Sequence, residues 1–136
     1  MGYQAAIAAV QALILTLPGI KQAPAYAPEQ ISEFPFSVAY PGSGTWEFGA
    51  GGSMKGLLSI VIEIHVARLN LPDDISNAMV YADIVPKILL QNPTLSGTVS
   101  TFGTIDHEFA PLGYGSSETI GFRWVIQNIK ILSDIT

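Results

Sequence analysis

The 136-residue chain contains no cysteine, which excludes disulfide staples, thiol catalysis and Cys-ligated zinc together. Charge is scarce as well: 12% of residues are charged, six of them Lys or Arg, and the net charge is -5. So few basic side chains argue against a nucleic-acid clamp, because phosphate contacts need clustered Lys and Arg. An acidic ring past which nucleic acid slides is still allowed. Apolar runs are too short and too interrupted for a transmembrane helix of roughly 20 residues. Residues 5–17 (AAIAAVQALILTL) imitate a signal-peptide core, and Ala25-Tyr26-Ala27 a cleavage site. No Lys or Arg precedes them, however, and Gln4 and Gln11 interrupt the run, so secretion is disfavoured. Position 6 is Ala, where myristoylation wants Ser or Thr.

What the chain does have is apolar surface, with 49% hydrophobic residues. Its length implies one domain over residues 1–136, large enough to bury a core without staples. So little charge on so apolar a chain points to burial between identical subunits. The organising stretch is MKGLLSIVIEIHVARLN (54–70), in which Met54, Leu58, Ile60, Ile62, Ile64 and Val66 share one parity and Lys55, Ser59, Glu63 and His65 the other. A period of two with many β-branched residues predicts a strand with one dry face. At about 3.3 Å per residue it would span on the order of 50 Å, so part of it should project or be covered by another copy.

Around it, Tyr3, Ile7, Val10, Ile14 and Leu17 repeat at helical spacing up to Pro18-Gly19, which predicts an amphipathic helix lying across a sheet. Residues 20–34 read as an extended connector, with a turn near Pro28-Glu29-Gln30. Phe36–Tyr40 and Thr45–Phe48 flank Pro41-Gly42-Ser43-Gly44, the pattern of a hairpin. The run 49–53 (GAGGS) supplies a bend or flexible finger before the long strand. Leu71-Pro72-Asp73-Asp74 opens a second helix running to about Gln91. Its apolar stripe is Ile75, Met79, Ala82, Val85 and Leu89, and Pro86 should kink or restart it. Residues 97–109 and 118–132 read as two further long strands, and 133–136 as a frayed end. The fold class predicted is α+β: a mainly antiparallel sheet of four to five strands with two helices on one face, in the order α-β-β-β-α-β-β.

Chemistry is harder to place. GAGGSMKG (49–56) lacks the Gly-Lys-Ser/Thr ending of a phosphate loop and opens a strand where that loop would open a helix. Asp106-His107-Glu108 cannot close around one metal ion, because neighbours on a strand point to opposite faces. His65 and His107 could meet across paired strands near Glu63, more simply as a surface or interface pair than as a site. Gly51-Gly52-Ser53-Met54-Lys55 lacks the closing glycine of a nucleophile elbow. No catalytic, cofactor or metal residue is therefore predicted. Asp106, Glu108 and Glu118 could form a solvated hairpin end or an acidic patch facing a channel. Trp46, Phe48 and Trp124 would ordinarily be core, yet the hairpin bearing Trp46 is short enough to leave an interface anchor.

The element order, an Ala-rich first helix ending in LPGIK (17–21), a proline-spaced connector leading to FPFSVAYPG (34–42) and a Gly-rich entry into GLLSIVIEIHVARLN (56–70) together resemble the tail terminator (tail completion) proteins of long-tailed bacteriophages. The resemblance covers nearly the whole chain but has no invariant site to carry across. It implies a virion protein, made in the host cytoplasm, that forms a homo-oligomeric ring, a hexamer. The ring would cap the tail tube protein, end tube polymerisation and join the head connector or head closure protein. DNA would pass through the lumen without specific binding, and neither cofactor nor membrane is involved. By this analogy, interface or lumen candidates are Trp46, Phe48, Gly51, Lys55, Asp106, Glu108 and Glu118. Another neck or tail-tube component would be chiefly β. A small-molecule binding module would be a monomer with a closed apolar pocket. An enzyme would need polar side chains converging in a cleft.

Overall fold

The computed structural model describes residues 2–28, 33–114 and 118–134. Helix α1 (Tyr3–Leu15) buries Ala6, Ile7, Val10 and Ile14, the stripe its spacing predicts. Gln11 is buried beside them with its amide fully used. Its Nε2 donates to Pro24 O (2.8 Å) and Ser37 O (2.9 Å), and its Oε1 accepts from the Ser37 hydroxyl at 2.8 Å. The residue that breaks the apolar run thus ties the helix to the connector and to the first strand.

Strands β1 (Phe36–Phe48), β2 (Ser53–Ala67), β3 (Ile105–Pro111) and β4 (Thr119–Asp134) form one antiparallel sheet in the order β1-β2-β4-β3. Leu58, Ile60, Ile62, Ile64 and Val66 of β2 are buried in a single core with α1 and the second helical unit. Burying each of these aliphatic side chains contributes roughly 1.5–3 kcal/mol. The fold is α+β with the helices on one face. Its order is α-β-β-β-α-β-β when the two halves of β1 are counted separately and α2 (Leu71–Met79) and α3 (Tyr81–Leu90) are counted as one joined unit.

Several boundaries differ from expectation. Residues 36–48 do not fold back as a hairpin: both halves pair with β2, from Phe36↔His65 to Phe48↔Met54. The Pro-Gly-Ser-Gly cluster makes an irregularity within one strand, because β2 is long enough to pair with both halves in line. The second helix breaks at Val80, and Pro86 sits inside α3. Tyr81 fixes that start, being buried with its hydroxyl donating to Pro18 O at 3.1 Å. Ala78 and Tyr81 take the buried positions expected for Met79 and Ala82. Asp74 does serve the helix entrance, its Oδ2 accepting the N–H groups of Leu69 (2.9 Å) and Asn70 (3.1 Å). Residues 97–104 are turns and loop: Leu95, Ser96 and Gly97 have φ of 46°, 60° and 81°, so no extended strand passes through them. The central strand stops at Ala67, while β4 continues to Asp134, so residues 133 and 134 are paired, not frayed. The turn expected at 28–30 lies partly outside the described residues, as does the 110–117 connection.

The sheet has two parts. From Pro41 to Gly44 β1 takes three residue steps against two in β2 (Ile60 to Leu58), and β4 takes three from Ile126 to Ile129 against the same two. Irregularities on both sides of Ser59 bend and twist the sheet there. The Ser59 hydroxyl donates to Ser43 O (2.8 Å), and the Tyr3 hydroxyl donates to Ser59 O, which fixes the bend from the α1 side. Beyond it, Gly44–Phe48, Ser53–Leu58 and Ile129–Asp134 extend as a three-stranded arm, closed at its tip by the 3₁₀ turn Ala50–Gly52.

Candidate functional site

Four of the seven predicted residues meet on this arm. Trp46 lies opposite Gly56 and Glu47 opposite Lys55, while Phe48 lies opposite Met54, next to the tip. Phe48 is 90% exposed and Trp46 43% on the helix-bearing face, and Leu57 is 42% exposed on the other, so the arm shows apolar side chains to solvent on both faces. Gly56 makes room for Trp46, since a Cβ there would stand 2.8 Å from its ring. Gly51 sits in the tip turn at φ 67°, a left-handed conformation that glycine adopts without cost. Lys55 is exposed on the helix-free face.

Asp106 and Glu108 lie on that same face of β3, opposite Val125 and Arg123 of β4. Glu118 is exposed ahead of β4, beyond the Pro111↔Ile120 end of the β3 pairing, so the three carboxylates do not form one patch. His65 and His107 do not meet either. His65 pairs with Gly121 and His107 with Trp124, on opposite faces of the sheet. His107 packs edge-on against Phe122 at 5.8 Å. Trp124 is fully buried, and its indole N–H has no partner among the described residues.

Sequence reasoning missed a polar cluster on the helix-free face. Glu63, 6% exposed, accepts from the Tyr40 hydroxyl (2.5 Å), from Arg123 Nε (2.9 Å) and from His65 Nε2 (2.9 Å). Arg123 also reaches Glu108 at 3.0 Å. Burial alone would raise the Glu63 carboxyl, but hydrogen bonds from His65, Tyr40 and Arg123 bring it down to about 2. Burial, with the Glu63 carboxylate as hydrogen-bond partner, pushes the Tyr40 phenol up to about 12, so at neutral pH it is a donor. His65 is fully buried, with Nδ1 2.6 Å from Thr119 Oγ1 and the Tyr114 ring edge-on at 5.4 Å.

Thr119, His65 and Glu63 have the hydroxyl–imidazole–carboxylate order that activates nucleophiles. The hydroxyl is enclosed, however. Thr119 is 2% exposed and its Oγ1 already accepts from Gly113 N–H at 3.0 Å. One proton assignment satisfies the chain: Thr119 donates to His65 Nδ1, and His65 Nε2–H donates to Glu63. The cluster therefore acts as a polar lock beside the small apolar cluster of Phe36 and Val38 on the same face. The only sequence signal for it was Glu63 and His65 two apart on a strand, which also fits an ordinary wet face.

Among the described residues, no group of three or more acidic or His side chains could hold a metal, and no helix is long and apolar enough to cross a membrane. A cavity of about 360 Å³ lined by Tyr3, Ile7, Tyr26, Ala39 and Tyr40 lies open beside α1. No protein-family model matches the chain, and no curated protein does.

Proposed function

We propose that this chain is a ring-forming structural protein of the tail-terminator type. It caps a phage tail tube, ends its polymerisation and joins the tail to the head through a channel that DNA crosses. The observation that carries the proposal is the arm: a three-stranded extension with apolar side chains facing solvent, built by a chain with few charges. Leu58, Ile129 and Ile131 anchor it in the chain's own core, but a solitary protein gains nothing from the exposed Trp46 and Phe48 of its outer strand, whereas a head-to-tail ring covers them at every interface. The resemblance in element order and in the quoted segments narrows the ring to the tail terminus.

The enclosed Thr119 hydroxyl and the open cavity beside α1 favour a structural role over an enzyme or a small-molecule module. On this reading the helix-free face, with Asp106 and Glu108, turns to the lumen. Negative charge there keeps DNA moving, because like charge suppresses lasting phosphate contacts. Negative-stain imaging of the purified protein, alone and with tail tubes, tests the proposal. The expected result is a ring with a hole wide enough for a duplex, seated on tube ends. Compact single particles that leave tube ends bare would overturn it.

A further inference from the structure

Which backbone groups of an edge strand point outward follows from hydrogen-bond phase. In an antiparallel pair, facing residues alternate between those that exchange both bonds and those whose N–H and C=O point away from the partner. Gln127 N–H donates to Thr104 O (2.8 Å) and Leu112 N–H to Thr119 O (3.0 Å). Ile105↔Ile126 and Pro111↔Ile120 are therefore pairs of the second kind, and the unbroken register places His107 and Phe109 with them. The N–H groups of Ile105, His107 and Phe109 point off the sheet, with no partner among the described residues, and Pro111 closes the row.

At the opposite edge, Gly49 N–H donates to Ser53 O at 2.9 Å, which makes Phe48↔Met54 an outward pair; Trp46 and Gly44 follow along the arm. The body half of the same strand is guarded. Ser37 N–H is taken by Gln22 O at 2.9 Å, Ala39 is buried in the core, and Pro41 has no N–H.

The two open rows match in length, direction and face. Residues 44–48 and 105–109 each offer three outward donors and three acceptors. In the all-antiparallel order β1-β2-β4-β3, β1 and β3 run in opposite directions. The rows are staggered by six residues, since 44–48 lie level with 58–54 of β2, and 105–109, through 126–122 of β4, with 60–64, an offset of about 20 Å. A ring that joins them inclines the strands to its axis, as in a barrel, and still sets β1 of one copy antiparallel to β3 of the next. Trp46 and Phe48 project to the helix-bearing face, as do Ile105, His107 and Phe109.

We infer that the arm of one copy adds to the β3 edge of the next copy, so that Trp46 and Phe48 lie beside His107 and Phe109 and the sheet continues from subunit to subunit. This rests on the ring proposed above. The occupant is a second copy because the complementary edge, with its phase, polarity and aromatic side chains, is on this same chain. Exposed edges are a liability that proteins normally blunt; here Gln22, Pro41 and Pro111 blunt the flanking positions and leave these two rows open. The contact is heterologous, so it repeats from copy to copy, and it ends in a ring where the rotation between copies closes.

Phe48→Pro and His107→Pro test it. Each removes one outward N–H, which takes no part in the ladder to β2 or β4. By light scattering the wild type forms a closed oligomer and each variant alone is monomeric. F48P retains an intact β3 edge and H107P an intact arm, so an equimolar mixture gives dimers and nothing larger. Circular dichroism checks that both variants fold; Phe48→Lys and His107→Lys replace any that does not. Single variants that assemble like wild type, or a mixture that stays monomeric, overturn this contact and leave the ring standing. A wild type that is monomeric at every concentration overturns both.

Discussion

Glu63 shows how one side chain couples the two outer strands to the centre of the sheet. Its carboxylate receives Tyr40 from β1 and Arg123 from β4, and through Arg123 it reaches Glu108 on β3. The group is held at about 2 against an ordinary 4.5, so the unfolded chain binds the proton more readily. Its contribution is fully present above about pH 4.5 and is lost as pH falls through about 2. By pH 3 the loss is on the order of 2 kcal/mol. Urea unfolding at pH 7 and pH 3 measures it: Glu63→Gln should be less stable at pH 7 and show a correspondingly smaller fall. An equal fall in both proteins would mean that other carboxylates carry the acid sensitivity. This cluster was not legible in the sequence, because its partners lie 23 and 60 residues away and only the register of three strands brings them together.

At the scale of elements, β2 was readable because its core face is written in strict alternation from Leu58 to Val66, and helix α1 because its stripe has no competing pattern. The hairpin was misread for a physical reason. Pro41-Gly42-Ser43-Gly44 suits a reversal and a bulge equally, and only the partner strand decides between them. Likewise, Pro86 suggested a break that Tyr81, anchored on Pro18, placed at Val80. Of the candidate residues, Trp46 and Phe48, ordinarily core types, are exposed on a glycine-flanked strand, and the pairing separates Glu118 from Asp106 and Glu108, which their nearness to one loop did not reveal. The junction of β2 and β4 is equally specific. A Cβ on Gly121 would collide with the backbone carbonyl of Ile64, and a backbone atom at the centre of a sheet cannot step aside. Gly121→Ala should therefore cost about 2–3 kcal/mol and lower Tm by roughly 5–10 °C in a thermal melt. Phe48→Ala should leave the Tm of the dissociated monomer nearly unchanged, because an exposed side chain contributes within about 0.5 kcal/mol, while it weakens assembly measured by light scattering.

For the whole molecule, assembly sets apolar association against charge. Each copy brings a net charge of -5, and a ring concentrates that charge on one perimeter. The proposed edge contact adds to the opposition, since Glu47 lies on the helix-free face of the arm and Asp106 and Glu108 on the same face of β3. Like charges facing across paired strands cost roughly 0.2–1 kcal/mol per pair. Salt screens such repulsion, with a Debye length of about 10 Å at 0.1 M and about 3 Å at 1 M, and leaves backbone hydrogen bonds and aromatic contacts largely intact. Sedimentation velocity should therefore show the oligomer fraction rising from low to high sodium chloride. Glu47→Gln should reproduce part of that gain at low salt without changing the Tm of the monomer at concentrations too low for assembly. Assembly that weakens as salt rises would mean ion pairs hold the subunits together, and the aromatic edge would then not be the contact that closes the ring.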